Sequence, residues 1–178
     1  IGRSQSVFLE HANLIKKLSF PRICLPLIVV LNASVNFAII FALFLGFLAV
    51  TQNFPGWAVL AVIPLLMIQV AFAIGLGIIL GVLNVFFRDV GQLVGIVLQF
   101  WFWLTPIVYP ASILPEGIRP LIEANPMAAL IAAYQGIFVY DQWPDWSTLG
   151  PVTVLAVMMC LLGMRLFRKR SGEMVDEL

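Results

Sequence analysis

Side chains able to do acid–base or nucleophilic chemistry are few in this sequence. The single histidine, His11, has one acidic neighbour, Glu10, and no cysteine or carboxylate cluster nearby. Glu116 and Glu123 are seven residues apart and could share one face of a short helix, where paired carboxylates can act as general acid and base. The sequence contains no nucleophile elbow, zinc-protease motif or phosphate-binding loop. We therefore predict no catalytic residue in this chain.

The two cysteines are equally uninformative about chemistry. Cys24 and Cys160 lie far apart, each inside an apolar stretch. Such cysteines are usually soft, buried packing residues. We predict neither a disulfide nor a metal site.

The composition places the chain in a membrane. Of its 178 residues 62% are hydrophobic and 11% charged, and its mean hydropathy is +1.04. Soluble domains are about 45–50% apolar and about 25% charged, so this chain has more apolar surface than a soluble fold can bury. A soluble enzyme, a disordered tail and a disulfide scaffold are excluded, and a net charge of +1 gives no field that would attract nucleic acid.

Uninterrupted hydrophobicity predicts four transmembrane helices. Each has the roughly 20 residues needed to cross about 30 Å of hydrocarbon. Pro26 falls in a first turn, where its missing N–H is harmless, whereas Pro64 should kink the second helix. The predicted spans are Ile23–Val50, Trp57–Leu83, Val90–Tyr109 and Thr148–Phe167.

The basic residues predict the orientation of these spans. Nine of the ten fall on one side, which the positive-inside rule makes cytoplasmic, and Arg119 alone lies outside. The C-terminus is then also cytoplasmic. The outer side carries Glu116, Glu123, Asp141 and Asp145. The cytoplasmic set is Arg3, Lys16, Lys17, Arg22, Arg88, Arg165, Arg168, Lys169 and Arg170.

The outer segment 110–147 is the most unusual part of the sequence. Met127–Val139 is apolar but too short to span, and Asn125-Pro126 provides a side-chain cap followed by proline at the first helical position. With a short amphipathic helix over Pro115–Ala124 it would form a re-entrant hairpin in the outer leaflet. Such a hairpin must border a pathway or a subunit contact, because lipid cannot satisfy irregular backbone. The alternative is a short helix lying flat on the surface.

Two cytoplasmic elements could dock a soluble partner. One is an amphipathic helix over Gln5–Leu18, and the other is the short connection Asn84–Asp89 with its aromatic residues Phe86 and Phe87. These two phenylalanines could equally be lipid anchors.

The spans lack a means of extracting free energy. None contains an ionisable residue before Arg165, so proton coupling loses its usual groups. Small residues recur at intervals of four at Ala73, Gly77 and Gly81, as in close helix packing. The aromatic run Phe100–Trp103 cannot face one way, so some of its rings face lipid while others could line a conduit and stack on sugars. Interfacial anchoring is the alternative for these rings.

Several motifs, in order, resemble one transporter family. They are Phe87-Arg88-Asp89-Val90, the run Phe100 to Tyr109 (FWFWLTPIVY), Asn125-Pro126 and the earlier Asn13–Lys17 with Phe20-Pro21-Arg22. Together they are similar to the permease subunit of ABC exporters for polysaccharide and polyol phosphate, which carry O-antigen, capsule or teichoic acid.

The resemblance implies an all-α integral membrane permease of six spans, of which this chain holds the last four. The chain begins Ile1-Gly2-Arg3 with no signal peptide, and we expect an N-terminal part to be missing. The implied domains are a coupling-helix region (1–22), a transmembrane domain (23–167) with gate hairpin 110–147, and a cytoplasmic tail (168–178). The implied partners are a second copy of the chain, two copies of a cytoplasmic ATPase that binds ATP and Mg²⁺, membrane lipid and a lipid-linked glycan, in a bacterial cytoplasmic membrane.

The resemblance also implies roles for particular residues. ATPase coupling would involve Phe8, Leu14, Lys16, Lys17, Phe87, Arg88 and Asp89. The substrate channel would involve Trp101, Trp103 and Tyr109. The periplasmic gate would involve Pro115, Glu116, Asn125, Pro126 and Tyr134. After Asn-Pro the family often has Tyr-Arg, and this chain has Tyr134-Gln135.

Three other functions fit the same residues. An ABC permease could export a drug or small lipid-like molecule, an intramembrane enzyme could act on a lipid-linked sugar, and a structural scaffold would need no partner motor. Gene neighbours, turnover without an ATPase, and surface glycan after deletion of the coupling helix would respectively separate these functions from glycan export.

Overall fold

The computed structural model describes residues 24–51, 56–87, 89–107 and 124–173, with Gly2, Ser6, Gly117 and Ile122. In this part of the chain every regular element is helical. A 3-10 turn, Trp57–Ala61, leads into the second helix. The α-helices are α1 (Cys24–Val50), α2 (Val62–Phe86), α3 (Asp89–Leu104), α4 (Pro126–Tyr140) and α5 (Trp146–Arg170).

Three segments are long and apolar enough to cross a membrane. They are Leu27–Val50, Trp57–Phe86 and Trp146–Arg170, with mean hydropathies of 2.4, 2.5 and 1.9. The 16 residues of α3 and the 15 of α4 are shorter, at about 24 Å and 22 Å for 1.5 Å per residue. The described chain is therefore a multi-pass helical membrane protein with two additional short apolar helices.

The predicted third span, Val90–Tyr109, was too long at its C-terminal end. Its helix stops at Leu104 because Pro106 disfavours helical backbone at Thr105. The Thr105 backbone N–H still donates to the carbonyls of Trp101 and Phe102, at 3.0 and 3.2 Å, and closes the last turn. Tyr109 lies outside the described residues.

The sequence placed Pro64 inside the second helix, but Pro64 lies near the start of α2. The α-helix begins only at Val62, after the 3-10 turn, so Pro64 falls in the first turn, where an N–H has no helical partner. Pro26 lies in the first turn of α1, as predicted. The proline inside a helix is instead Pro151, because α5 begins at Trp146 with Asp145 as its N-cap.

The helices α2 and α5 make the tightest contact in the described chain. A Cβ added to Gly75 would lie 2.5 Å from the backbone nitrogen of Cys160, and one added to Gly163 would lie 2.9 Å from the carbonyl of Gly75. The Cys160 thiol donates to the Ala71 carbonyl at 3.0 Å. The α2 residue at the crossing is therefore Gly75. The sequence pattern of Ala73, Gly77 and Gly81 did not include it.

Apolar cores form on both sides of this crossing. One joins the last turns of α2 and α5 through Val82, Val85 and Phe167. The other packs α4 against the beginnings of α2 and α5 through Leu65, Leu130, Ile137, Leu149 and their neighbours. In contrast, most of α1 is exposed, as suits a helix whose solvent is lipid.

The basic residues that the structure describes share one end of this bundle. All four described basic residues, Arg165, Arg168, Lys169 and Arg170, lie in the last turns of α5, which we call the basic end. Asp141 and Asp145 lie at the opposite end, where Asp141 follows the end of α4 and Asp145 caps the beginning of α5.

Candidate functional site

A closed set of hydrogen bonds joins the end of α3 to the beginning of α4. The Trp101 indole N–H donates to Asn125 Oδ1 at 2.7 Å, and Asn125 Nδ2 donates to Thr105 Oγ1 at 3.0 Å. The Thr105 hydroxyl donates in turn to the Trp101 carbonyl at 2.8 Å. We call these three residues the Asn125 junction. Thr105 and Asn125 are only 3% and 5% exposed, so these bonds are shielded from water.

Asn125 also begins α4, as its sequence predicted. Its Oδ1 accepts a second hydrogen bond, from the Met127 backbone N–H at 3.0 Å, and Pro126 occupies the first helical position. Both lone pairs of one carboxamide oxygen are thus used, one within α4 and one by α3.

The aromatic run of α3 faces several directions, as predicted. Trp101 is partly buried and meets Phe72 of α2 edge-on, with ring centres 6.1 Å apart. Trp103 is 63% exposed and lies edge-on to Phe102. Of the predicted channel residues, Trp101 thus has its N–H engaged by Asn125, whereas much of Trp103 is open to a ligand or to lipid.

Tyr134 holds the middle of α4 to α2. Its hydroxyl donates to Gln69 Oε1 at 3.1 Å. Burial raises the pKa of Tyr134 to about 12, so the phenol stays protonated and remains a donor at physiological pH. Gln135, which follows it, donates to the Pro106 carbonyl at 3.4 Å and adds a second contact with the α3 end.

The far end of α4 is also tied down. Asp141, at φ 49°, ends the helix in the left-handed region, and its carboxylate accepts the Gly56 N–H at 2.9 Å. The contact is close, since a Cβ added to Gly56 would lie 3.3 Å from Asp141 Oδ2. Gly56, just before the 3-10 turn, and the end of α4 are therefore held together.

The sequence missed three of these partners. The sequence assigns no role to the side chains of Thr105 and Gln69, and it marks Asp141 only as an outer charge. The available signals were Thr-Pro at the end of an aromatic run and a lone glutamine inside an apolar helix. Their pairing depends on contacts 20, 65 and 85 residues apart in sequence.

An open cleft borders the other face of α4. Its volume is about 730 Å³. Its walls include Pro106, Ala129, Gly136, Trp143 and Asp145. Ile122, buried at 6% exposure, also lines it. Helix α4 is therefore buried on one face and borders a cleft on the other, while most of the other arm of the predicted hairpin, Pro115–Ala124, lies outside the described residues.

The connection between α2 and α3 forms a tight turn at the basic end. The Val90 N–H donates to the Phe87 carbonyl at 3.0 Å, and Phe87 is 64% exposed beside exposed Asp89. Phe86 is only partly exposed, because it packs on the core and lies under the Arg170 guanidinium, 5.7 Å from its ring centre. Phe87 is thus the exposed aromatic of this turn.

Several predicted site residues lie outside the described residues. In the coupling set they are Phe8, Leu14, Lys16, Lys17 and Arg88. In the channel and gate sets they are Tyr109, Pro115 and Glu116.

Apolar spans and the clustering of the described basic residues at one end define a multi-pass membrane protein. The chain belongs to the ABC-2 type transporter family, whose model matches residues 1–139. The resemblance found in the motifs is confirmed at the level of this family.

Curated relatives of the chain carry a common name. This chain is 32% identical over 180 residues to the O-antigen export system permease protein RfbA of Myxococcus xanthus. The match covers 100% of this chain and 69% of that protein. A protein of the same name from Klebsiella pneumoniae is 30% identical over 163 residues. That match covers 91% of this chain and 62% of the relative, so the chain spans under two thirds of its length.

Proposed function

We propose that this chain is the permease part of an ABC exporter that moves a lipid-linked polysaccharide across the bacterial cytoplasmic membrane, driven by a separate ATPase. Relatives named as O-antigen export permeases match nearly the whole chain, and this is the observation that carries the proposal. It also favours a glycan over a drug as the substrate. The chain would supply the pathway, and ATP and Mg²⁺ would bind to the ATPase.

The basic end is the side we assign to the cytoplasm. All four described Lys and Arg residues lie there, as the positive-inside rule requires of cytoplasmic segments. The exposed Phe87 and Asp89 of the tight turn lie at the same end and suit docking on a soluble ATPase. The Asn125 junction then lies toward the outside.

Helix α3 connects these two ends. It begins with Asp89 at the tight turn between α2 and α3, and it ends at the Asn125 junction. Because an α-helix is stiff along its axis, a displacement of the turn by the ATPase would reach Trp101 and Thr105, and through Asn125 the start of α4. This route makes α4 the gate element and Asn125 the residue that couples it.

We assign substrate contact to exposed aromatic rings near the outer end of α3. Trp103 offers a flat surface that stacks on sugar rings, and further weak contacts along the path would let a polymer slide. A second copy of the chain would complete the pathway, as the family resemblance implies.

The test is reconstitution of the full-length permease with its ATPase in vesicles that contain a lipid-linked glycan. We expect glycan to reach the opposite leaflet only with both proteins and ATP, measured with an added glycosidase or lectin. A variant ATPase that binds but does not hydrolyse ATP is the control. Transport by the permease alone on an ion gradient would contradict the proposal, as would turnover of the glycan without transport.

A further inference from the structure

The basic residues of α5 are divided between two faces of the helix. Leu161, Arg165 and Arg168 follow one another at intervals of four and three, so they lie on one stripe. Gly163, Phe167 and Arg170 follow at the same intervals on the opposite side. The helix therefore presents its cations in two different environments.

The stripe with Arg170 faces the protein. Gly163 and Phe167 are buried against α2, and Arg170 covers the Phe86 ring and pairs with Glu173. This is the ion pair found among the described residues.

The stripe with Arg165 faces away from the protein. The side chains that precede it on this face are exposed and apolar, Val154 and Leu161 each at 67%, and the exposed Arg165, Arg168 and Lys169 continue it. A membrane-embedded apolar face that ends in cations beside the headgroup region places those cations against lipid phosphates, because long basic side chains extend toward the interface.

We propose that Arg165, Arg168 and Lys169 form a binding surface for the headgroups of anionic phospholipids in the leaflet where α5 ends. The surface continues a lipid-facing stripe, which favours lipid over a soluble partner. A second copy is disfavoured, since a two-fold interface through this stripe would bring like charges together. The proposal does not depend on which substrate is exported.

The test uses the full-length permease with its ATPase in vesicles of phosphatidylcholine that contain spin-labelled phosphatidylglycerol or spin-labelled phosphatidylcholine. Electron paramagnetic resonance gives the relative association of each lipid with the protein surface. We expect wild type to prefer phosphatidylglycerol, R165Q to lower that preference up to about fivefold, and 0.5 M salt to weaken it. The triple variant R165Q/R168Q/K169Q should abolish most of it.

The matched control is R170Q, which removes one positive charge from the same helix on its protein face. We expect R170Q to keep the lipid preference of wild type. The proposal is overturned if wild type shows no preference, if R170Q lowers it as much as R165Q, or if R165Q leaves it unchanged. It is also overturned if the triple variant loses the ATPase but keeps the lipid preference. If the triple variant fails to fold, the single variants and the salt dependence decide the matter.

Discussion

Asn125 does three things with one side chain. It caps α4, accepts the indole N–H of Trp101, and donates to Thr105. An asparagine is suited to this role because its carboxamide has two acceptor sites on oxygen and two donors on nitrogen. Aspartate would keep the acceptors but would bring a buried charge and no donor for Thr105.

At this junction we expect N125A to destabilise the protein and to impair export. Loss of the cap costs about 1 kcal/mol, and a buried indole N–H left without an acceptor costs about 1–3 kcal/mol more. T105V, which loses neutral hydrogen bonds, should cost less. Thermal inactivation of the purified exporter and the amount of surface glycan measure the two effects.

The control for N125A is D145A. Asp145 caps α5 in the same manner, accepting from the Ser147 N–H at 3.0 Å, but it is exposed and its carboxylate bonds to Ser147 within the first turn of α5. D145A should cost some stability and leave export intact. If N125A exported as well as wild type, the coupling role of the junction would be refuted.

Replacement of Tyr134 by phenylalanine tests the bond to Gln69. Y134F should lower stability by about 1 kcal/mol through loss of one hydrogen bond. The raised pKa, about 12, means that the contribution is fully present below pH 10 and is lost as pH rises from 10 through 12. The difference in thermal midpoint between wild type and Y134F should therefore be equal at pH 6 and pH 9. A difference that vanished at pH 9 would show that the phenol ionises early.

At the scale of elements, the sequence predicted the existence of helices better than their ends or partners. Three long apolar runs became helices because hydrocarbon leaves the backbone little alternative, and Asn125-Pro126 marked the start of α4 because capping is local. The end of α3 at Leu104 depended on weighing Pro106 against an apolar run that continues beyond it. The bond between Trp101 and Asn125 could not be predicted, since it depends on how α3 and α4 meet in space.

The crossing of α2 and α5 gives a prediction for glycine substitutions. G75A would place its Cβ 2.5 Å from backbone of α5, and G163A would place its Cβ 2.9 Å from the Gly75 carbonyl. Because backbone cannot move aside as a side chain can, both variants should lower the free energy of unfolding by about 2 kcal/mol, as is typical of overpacking, and so lower the thermal midpoint.

Gly150, in the same helix as Gly163, is the control for these variants. A Cβ there would meet nothing within 4 Å, so G150A should leave stability unchanged or raise it by up to about 1 kcal/mol. Equal thermal midpoints for G163A and G150A would show that the two helices do not cross as described.

For the whole molecule, the position of the described basic residues at one end predicts an orientation. In a full-length permease with Cys24 and Cys160 replaced by alanine, a cysteine at Gln142 should react with a membrane-impermeant maleimide added from outside. A cysteine at Lys169 should react only after the membrane is opened. Mass shifts of the purified protein measure both reactions, and labelling of K169C in intact cells would reverse the assigned orientation.

The backbone contact between Gly75 and Gly163 restricts how such a transporter can change shape. With no side chain between them to rearrange, α2 and α5 can slide or separate only by losing the contact altogether, so they should travel as one rigid body through the transport cycle. Widening of a passage for a bulky polymer must then come from α1, α3 and α4, whose contacts with this pair are made by side chains. A cross-link that fixes α2 to α5 should accordingly spare transport, whereas one that fixes α3 to α2 should arrest it.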